Sequence, residues 1–192
     1  MKNYIFGLDI STSIIGLCIL DKDLLLEGKN SQEFIIKIDS IDLKKFDNMF
    51  QKASFVNAVL SEIKEKFSHD CKSWDIAVEK PLVKFASRKS SADTLSTLIR
   101  FNGVVSYIAL TVFGSTPKQL SFTSARKQCG VKIKKNIGIS EKMQTFNFIN
   151  QGDLNHISWP RKKRSDNIVD WAYDATDAYV IAKASINSTI CT

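Results

Sequence analysis

Tyr4-Ile5-Phe6-Gly7-Leu8-Asp9-Ile10-Ser11-Thr12-Ser13-Ile14-Ile15-Gly16-Leu17-Cys18-Ile19-Leu20 decides the fold. Two apolar runs, Tyr4 to Ile10 and Ile14 to Leu20, flank a short polar turn, which predicts two buried strands in an antiparallel hairpin. One charge, Asp9, interrupts this core-forming stretch. A carboxylate among such neighbours is heavily penalised by desolvation unless a cation or several donors compensate it. A cation is one reading, and an Asp held by the Ser11 and Thr12 turn is the other.

Beyond the hairpin, Asp21-Lys22-Asp23 reads as a turn. Glu33 to Ile38, with Phe34, Ile36 and Ile38 on one parity, reads as the third strand of a meander. Apolar residues at three- and four-residue steps predict an amphipathic helix from Phe46 to Phe67. Trp74 to Val78 is a strand that stops at Glu79-Lys80-Pro81, because proline cannot join the ladder of a central strand. A second helix spans Ala92 to Phe113 and a short strand Lys118 to Phe122. There follow a lysine-rich stretch from Arg126 to Lys135, a helix from Ser140 to Ile149, a basic loop holding Arg161-Lys162-Lys163-Arg164, and a last helix from about Ile168 to Ile186.

Across the 192 residues, 27 Lys and Arg against 20 Asp and Glu leave a net charge of +7, which favours polyanionic partners over acidic small substrates. Only five of the basic residues are arginine. That composition suits point-charge contacts to phosphates better than bidentate base readout. The four cysteines are scattered without a CxxC pair, which disfavours zinc and a disulfide framework. The N-terminus lacks the apolar region of a signal peptide, and no run of about 18 apolar residues occurs, so an intracellular, cytoplasmic protein without a membrane partner is expected. The chain is sized for one domain over residues 1–192. Abundant Lys, Ile and Asn point to an AT-rich genome such as that of a phage or large DNA virus.

The basic chain carries acidic residues where structure alone does not call for them. Glu79 ends an apolar strand, and Asp174-Ala175-Thr176-Asp177-Ala178 puts two carboxylates on one helix face, with Asp170 one turn earlier. A solvated strand end for Glu79 and a solvated acidic face for the helix are the bland readings. Hard divalent cations explain them together, since Mg²⁺ or Mn²⁺ takes carboxylate oxygens, and a pair about 4 Å apart clamps both oxygens of a phosphodiester displacement.

The order of elements, with Asp on the first strand, Glu after the fourth and paired Asp on the last helix, resembles the ribonuclease H-like superfamily, an α/β fold with a mixed five-stranded sheet flanked by helices. Gly7-Leu8-Asp9-Ile10-Ser11, Val78-Glu79-Lys80-Pro81, Arg100-Phe101-Asn102-Gly103-Val104-Val105, Ser140-Glu141-Lys142-Met143-Gln144 and Asp174 to Ala178 resemble the RuvC-type Holliday junction resolvases over roughly Tyr4 to Ala184. The resemblance implies two Mg²⁺ ions (or Mn²⁺) on Asp9, Glu79, Asp174 and Asp177, with Lys142 near the scissile phosphate. It also implies an enzyme that nicks four-way and other branched DNA. Paired nicks in one junction require two sites related by a two-fold axis, so a homodimer is expected. Ala92 to Phe113 is expected as its interface, because the apolar positions of that helix wrap more than one face.

Lys132, Lys134 and Lys135 rival Lys142 for that place, because their segment is longer and richer in lysine than the family pattern. Arg126, Lys127, Lys132, Lys134 and Lys135 are expected to contact DNA, as are Lys84, Phe85, Arg88 and Lys89. Phe85 or Leu82 is expected as an apolar wedge at the junction centre. Arg161 to Arg164 read either as a phosphate contact or as a solvated charge run. Competing functions are cleavage of RNA in hybrids, cleavage of replication intermediates, and nucleic-acid binding without catalysis.

Overall fold

The computed structural model describes residues 1–81, 92–135 and 138–186. Its frame is the mixed five-stranded sheet expected from the element order, with strands arranged β3-β2-β1-β4-β5. β1 (Lys2–Ile10) pairs antiparallel with β2 (Ile14–Asp21) and parallel with β4 (Cys71–Glu79). β3 (Ile35–Asp42) adds antiparallel to β2, and β5 (Lys118–Leu120) parallel to β4.

Strand periodicity sorts the side chains of β1 between two cores. Tyr4, Phe6, Leu8 and Ile10 pack with Ile15, Leu17, Ile19, Trp74, Ile76 and Val78 against α3 (Met49–Phe67) and α4 (Ala92–Phe113). Ile5 lies on the other face with Cys18, Leu20 and Ala77. There it meets α7 (Trp171–Ser185), flanked by α5 (Phe122–Gln128) and α6 (Glu141–Gln151). The same parity places Gly7 and Asp9 on the α7 face. Burying each Ile or Leu completely contributes about 1.5–3 kcal/mol, so both cores are substantial.

α7 lies unusually close to the sheet. A Cβ on Gly16 would stand 2.0 Å from the Asp174 carbonyl oxygen, and one on Gly7 would stand 2.3 Å from that of Ala178. Small residues Ala175, Ala178 and Ala182 complete this approach, and each is fully buried. Asp9 is the register partner of Gly16, so the first turn of α7 is set directly over the carboxylate of β1.

Several boundaries differ from the sequence expectations, each for a local reason. Asp21 is an N-cap: its side chain accepts from Asp23 N and Leu24 N, starting the short α1 (Lys22–Leu26) where a turn was expected. The segment expected to open the third strand instead forms α2 (Ser31–Phe34), so β3 begins at Ile35. A register shift between Ile19 and Leu20 sends Ile36 to the α3–α4 side and leaves Ile38 on the α7 side, which breaks the expected common face. Asn48 caps α3, accepting from Phe50 N and Gln51 N at 3.0 Å. The helix therefore starts at Met49, and Phe46 stacks on Phe55 from outside it. β5 ends at Leu120, and α5 occupies the beginning of the expected lysine-rich stretch. The last helix starts at Trp171 because Ile168 is bridged to Arg161 in a hairpin.

By length and composition α4 is apolar enough to cross a membrane, although polar residues interrupt its run and no stretch of about 18 consecutive apolar residues occurs in it. One stripe of the helix, including Phe101, Val105, Ile108 and Val112, is buried in the sheet–helix core.

The contact between α7 and the glycines yields a direct test. Gly16→Ala should cost more than about 3 kcal/mol in urea unfolding, above the usual range for overpacking, because the added methyl meets backbone with no side chain able to yield. Gly7→Ala should behave similarly. Losses below about 1 kcal/mol would show that α7 can move off the sheet freely.

Candidate active site at the top edge of the sheet

The ends of β1 and β4, the start of β2 and the first turns of α7 meet at one edge of the sheet. Here Asp9 is 8% exposed and Asp177 4%, while Glu79 is half-buried at the last position of β4. Asp9 and Glu79 share a side-chain hydrogen bond. Ser11 takes no part in holding Asp9. Its hydroxyl donates to Ile14 O at 2.6 Å and accepts from Ile14 N at 3.0 Å, closing its own turn.

α6 supplies the cation. Ser140 caps its first turn by accepting from Met143 N, and Lys142 then reaches across to α7. Its ammonium lies 3.6 Å from Asp9 Oδ2 and 3.2 Å from Asp177 Oδ2, and it donates to Asp174 Oδ1. The five residues expected at the centre, Asp9, Glu79, Lys142, Asp174 and Asp177, are therefore brought together from four elements.

The electrostatics follow from burial and crowding. Burial, then the charges of Asp9 and Asp177, push Glu79 up to about 8. Burial and Asp9 likewise push Asp177 up to about 8 against the pull of Lys142. Burial also raises Asp9, with Lys142 opposing. Burial alone would lower Lys142, yet the surrounding carboxylates hold its pKa above the ordinary lysine value.

One lysine does not neutralise four carboxylates. Asp177 Oδ1 is buried without a hydrogen-bond partner, a costly state for a carboxylate oxygen. Among the described residues, no three such donors converge on one point, and Lys142 lies between them. An all-oxygen donor set with excess negative charge and an orphaned buried oxygen fits a hard divalent cation.

The remaining expected residues fall into three groups. Asp170 stands apart, 69% exposed in its side chain and paired with Lys162 at 2.7 Å. Arg126 points inward, bound to Glu141 at 2.7 Å with its guanidinium over the Phe122 ring. Lys127, Lys132, Lys134 and Lys135 are exposed on the α5–α6 side. Gln144 ties the backbone of Lys134 to α6 through bonds to its N and O. Leu82, Lys84, Phe85, Arg88 and Lys89 lie outside the described residues.

Sequence reasoning gave no role to Asn102, which is buried in α4 and donates to Glu79 O at 3.1 Å, fixing the end of β4. Its signal was an amide in the apolar stripe of a helix.

No family model matches the sequence, and no curated protein sequence matches it. Solved structures do. Thermus thermophilus RuvC in complex with a Holliday junction substrate superposes with a TM-score of 0.62 at 13% identity, covering 98% of this chain and 96% of that one. A second Thermus thermophilus RuvC structure gives 0.57 at 14% identity, covering 97% and 95%. The yeast mitochondrial Holliday junction resolvase Ydc2 gives 0.53 at 13% identity, covering 94% and 76%. With its mixed sheet, flanking helices and near-complete overlap, the chain has the ribonuclease H-like fold seen in RuvC-type resolvases.

Proposed function

We propose that this protein is a divalent-metal-dependent endonuclease that resolves four-way and other branched DNA junctions as a homodimer. The observation that carries the reading is the cluster of Asp9, Glu79, Asp174 and Asp177 at a sheet edge of an otherwise basic chain, with Asp177 Oδ1 left unpartnered. Asp9, Glu79, Asp174 and Asp177 would hold Mg²⁺ or Mn²⁺, which when bound polarises the phosphodiester and activates water for hydrolysis. The protein's own groups do the rest. The sheet and α7 fix the carboxylates before substrate arrives, Asn102 steadies Glu79, and Lys142 offers a positive charge to the phosphate that approaches them. The exposed lysines of the α5–α6 side attract the DNA backbone.

Dimerisation follows from symmetry, since paired nicks in one junction need two sites related by a two-fold axis. α4 offers a face for it: opposite its buried stripe, Ile99, Tyr107 and Leu110 are exposed, Tyr107 at 66%. Changing Tyr107 and Leu110 together to Glu should yield a monomer in sedimentation velocity and uncouple the two nicks. A dimer that persists would place the interface elsewhere.

Glu79→Gln, Asp174→Asn and Asp177→Asn should each slow cleavage of a four-way junction by about 100-fold or more, the scale on which one transition-state charge partner acts. Junction binding should survive. Asp170→Asn should lose far less. Wild-type rates for both α7 variants at 174 and 177 would remove the site.

Stability supplies an independent readout. In the folded protein Glu79 and Asp177 keep protons up to about 8 that an unfolded chain releases near 4.5 and 3.8. The folded state therefore binds more protons across that window, and its stability falls as pH rises through it. In EDTA, the wild type should lose melting temperature between pH 5 and pH 8.5 faster than the Glu79→Gln/Asp177→Asn variant. Mn²⁺ at pH 8 should restore the wild type alone. Parallel pH curves for the two proteins would contradict the assigned electrostatics.

A further inference from the structure

The Arg161–Arg164 segment, open to two readings from sequence, is a built hairpin at the same sheet edge as the carboxylates. Arg161 and Ile168 form a β-bridge, and Lys162 N donates to Asn167 O at 2.8 Å. Ser165 N and Val169 N close the loop on Lys162 O and Pro160 O, and the Arg161 guanidinium donates to Asp166 O. Trp159 and Trp171 stack edge to face at its base, their centroids 5.8 Å apart. A merely solvated charge run has no need of this ordering, whose entropic cost is already met before any ligand binds.

The hairpin faces a cleft of about 310 Å³ whose other wall comes from the ends of β2 and β3, with Ile14, Asp42 and Lys44. Asp170 and Lys162 lie within it as an ion pair. Asp42 already accepts from Lys44 N. Lys44, Lys163 and Arg164 are exposed.

Phe50 is 79% exposed in the first turn of α3, the helix that follows Lys44 in the chain. α3 is tied to the catalytic edge there, because Lys52 donates to Thr12 O at 2.7 Å, in the turn that follows Asp9 and Ile10. An aromatic ring left in water on a helix anchored at this edge is an unfavourable arrangement for folding alone, and a suitable one for stacking on a base.

We infer that the β3 side of the site is a second DNA-contact surface, in which Lys44 and the Arg161–Arg164 hairpin hold backbone phosphates and Phe50 stacks on an unpaired base. The surface lies across the carboxylates from the lysines of α5 and α6. A strand crossing the site would therefore be held on both sides of the cut. The inference rests on the nuclease reading for the identity of its ligand.

The test measures binding of full-length protein to a four-way junction in EDTA, by fluorescence anisotropy over a range of KCl. Changing Lys162, Lys163 and Arg164 together to Ala should reduce the slope of log K against log salt by about 2 to 3, since each phosphate contact contributes about 0.9. Phe50→Ala should weaken binding about tenfold with the salt slope unchanged, and Phe50→Tyr should restore it. 2-Aminopurine at the junction centre should be less quenched by Phe50→Ala than by the wild type. Unchanged slopes and affinities in folded variants, verified by circular dichroism, would overturn the inference, as would a wild type that binds no DNA. If the wild type binds linear duplex as tightly as a junction and the slope still falls, the surface stands while the junction reading fails.

Discussion

Gly7 and Gly16 let a helix backbone rest on a sheet backbone, and the chemistry of the molecule depends on that contact. Neither position has room for a methyl group beneath α7. Because Gly16 is also the register partner of Asp9, the absence of a side chain at one residue brings Asp174 and Asp177 over the carboxylate of another. A more distant helix would leave Lys142 without carboxylates on two sides. Close packing elsewhere in a protein mainly supplies stability; here it also sets the separation between charges.

Concentrating acidic groups this way is unfavourable in a folded chain without a counter-charge. The structure answers with Lys142, with the shared Asp9–Glu79 hydrogen bond, and with proton affinities raised toward neutrality for Glu79 and Asp177. Such compensation is partial, as the orphaned Asp177 Oδ1 shows. The strain is localised where a bound cation would relieve it, a pattern common at sites that bind before they react. In the proposed function the exposed lysines of the α5–α6 side draw a polyanion toward this acidic centre, separate from the groups proposed to hold metal.

The sequence by itself determined the sheet–helix frame, because strand alternation in β1 and β2 and helical periodicity in α3, α4 and α7 are local consequences of which side chains must leave water. It also singled out Asp9, Glu79, Asp174 and Asp177, carboxylates at an apolar strand, a strand end and one helix face, whereas Lys142 came only from the resemblance and had Lys132, Lys134 and Lys135 as rivals. Caps and bulges were less legible: Asp21 and Asn48 act through bonds to their own backbone, and the Ile19–Leu20 register shift depends on how β3 is paired. Only the tertiary structure decided that Arg126 faces inward onto Glu141, that Asp170 stands outside the cluster, and that Arg161 to Arg164 form an ordered hairpin beside Lys44. Those outcomes turn on distances between segments remote in sequence. Residue type states that a side chain is charged, while its partner is chosen by the packing that brings another element within a few ångströms of it.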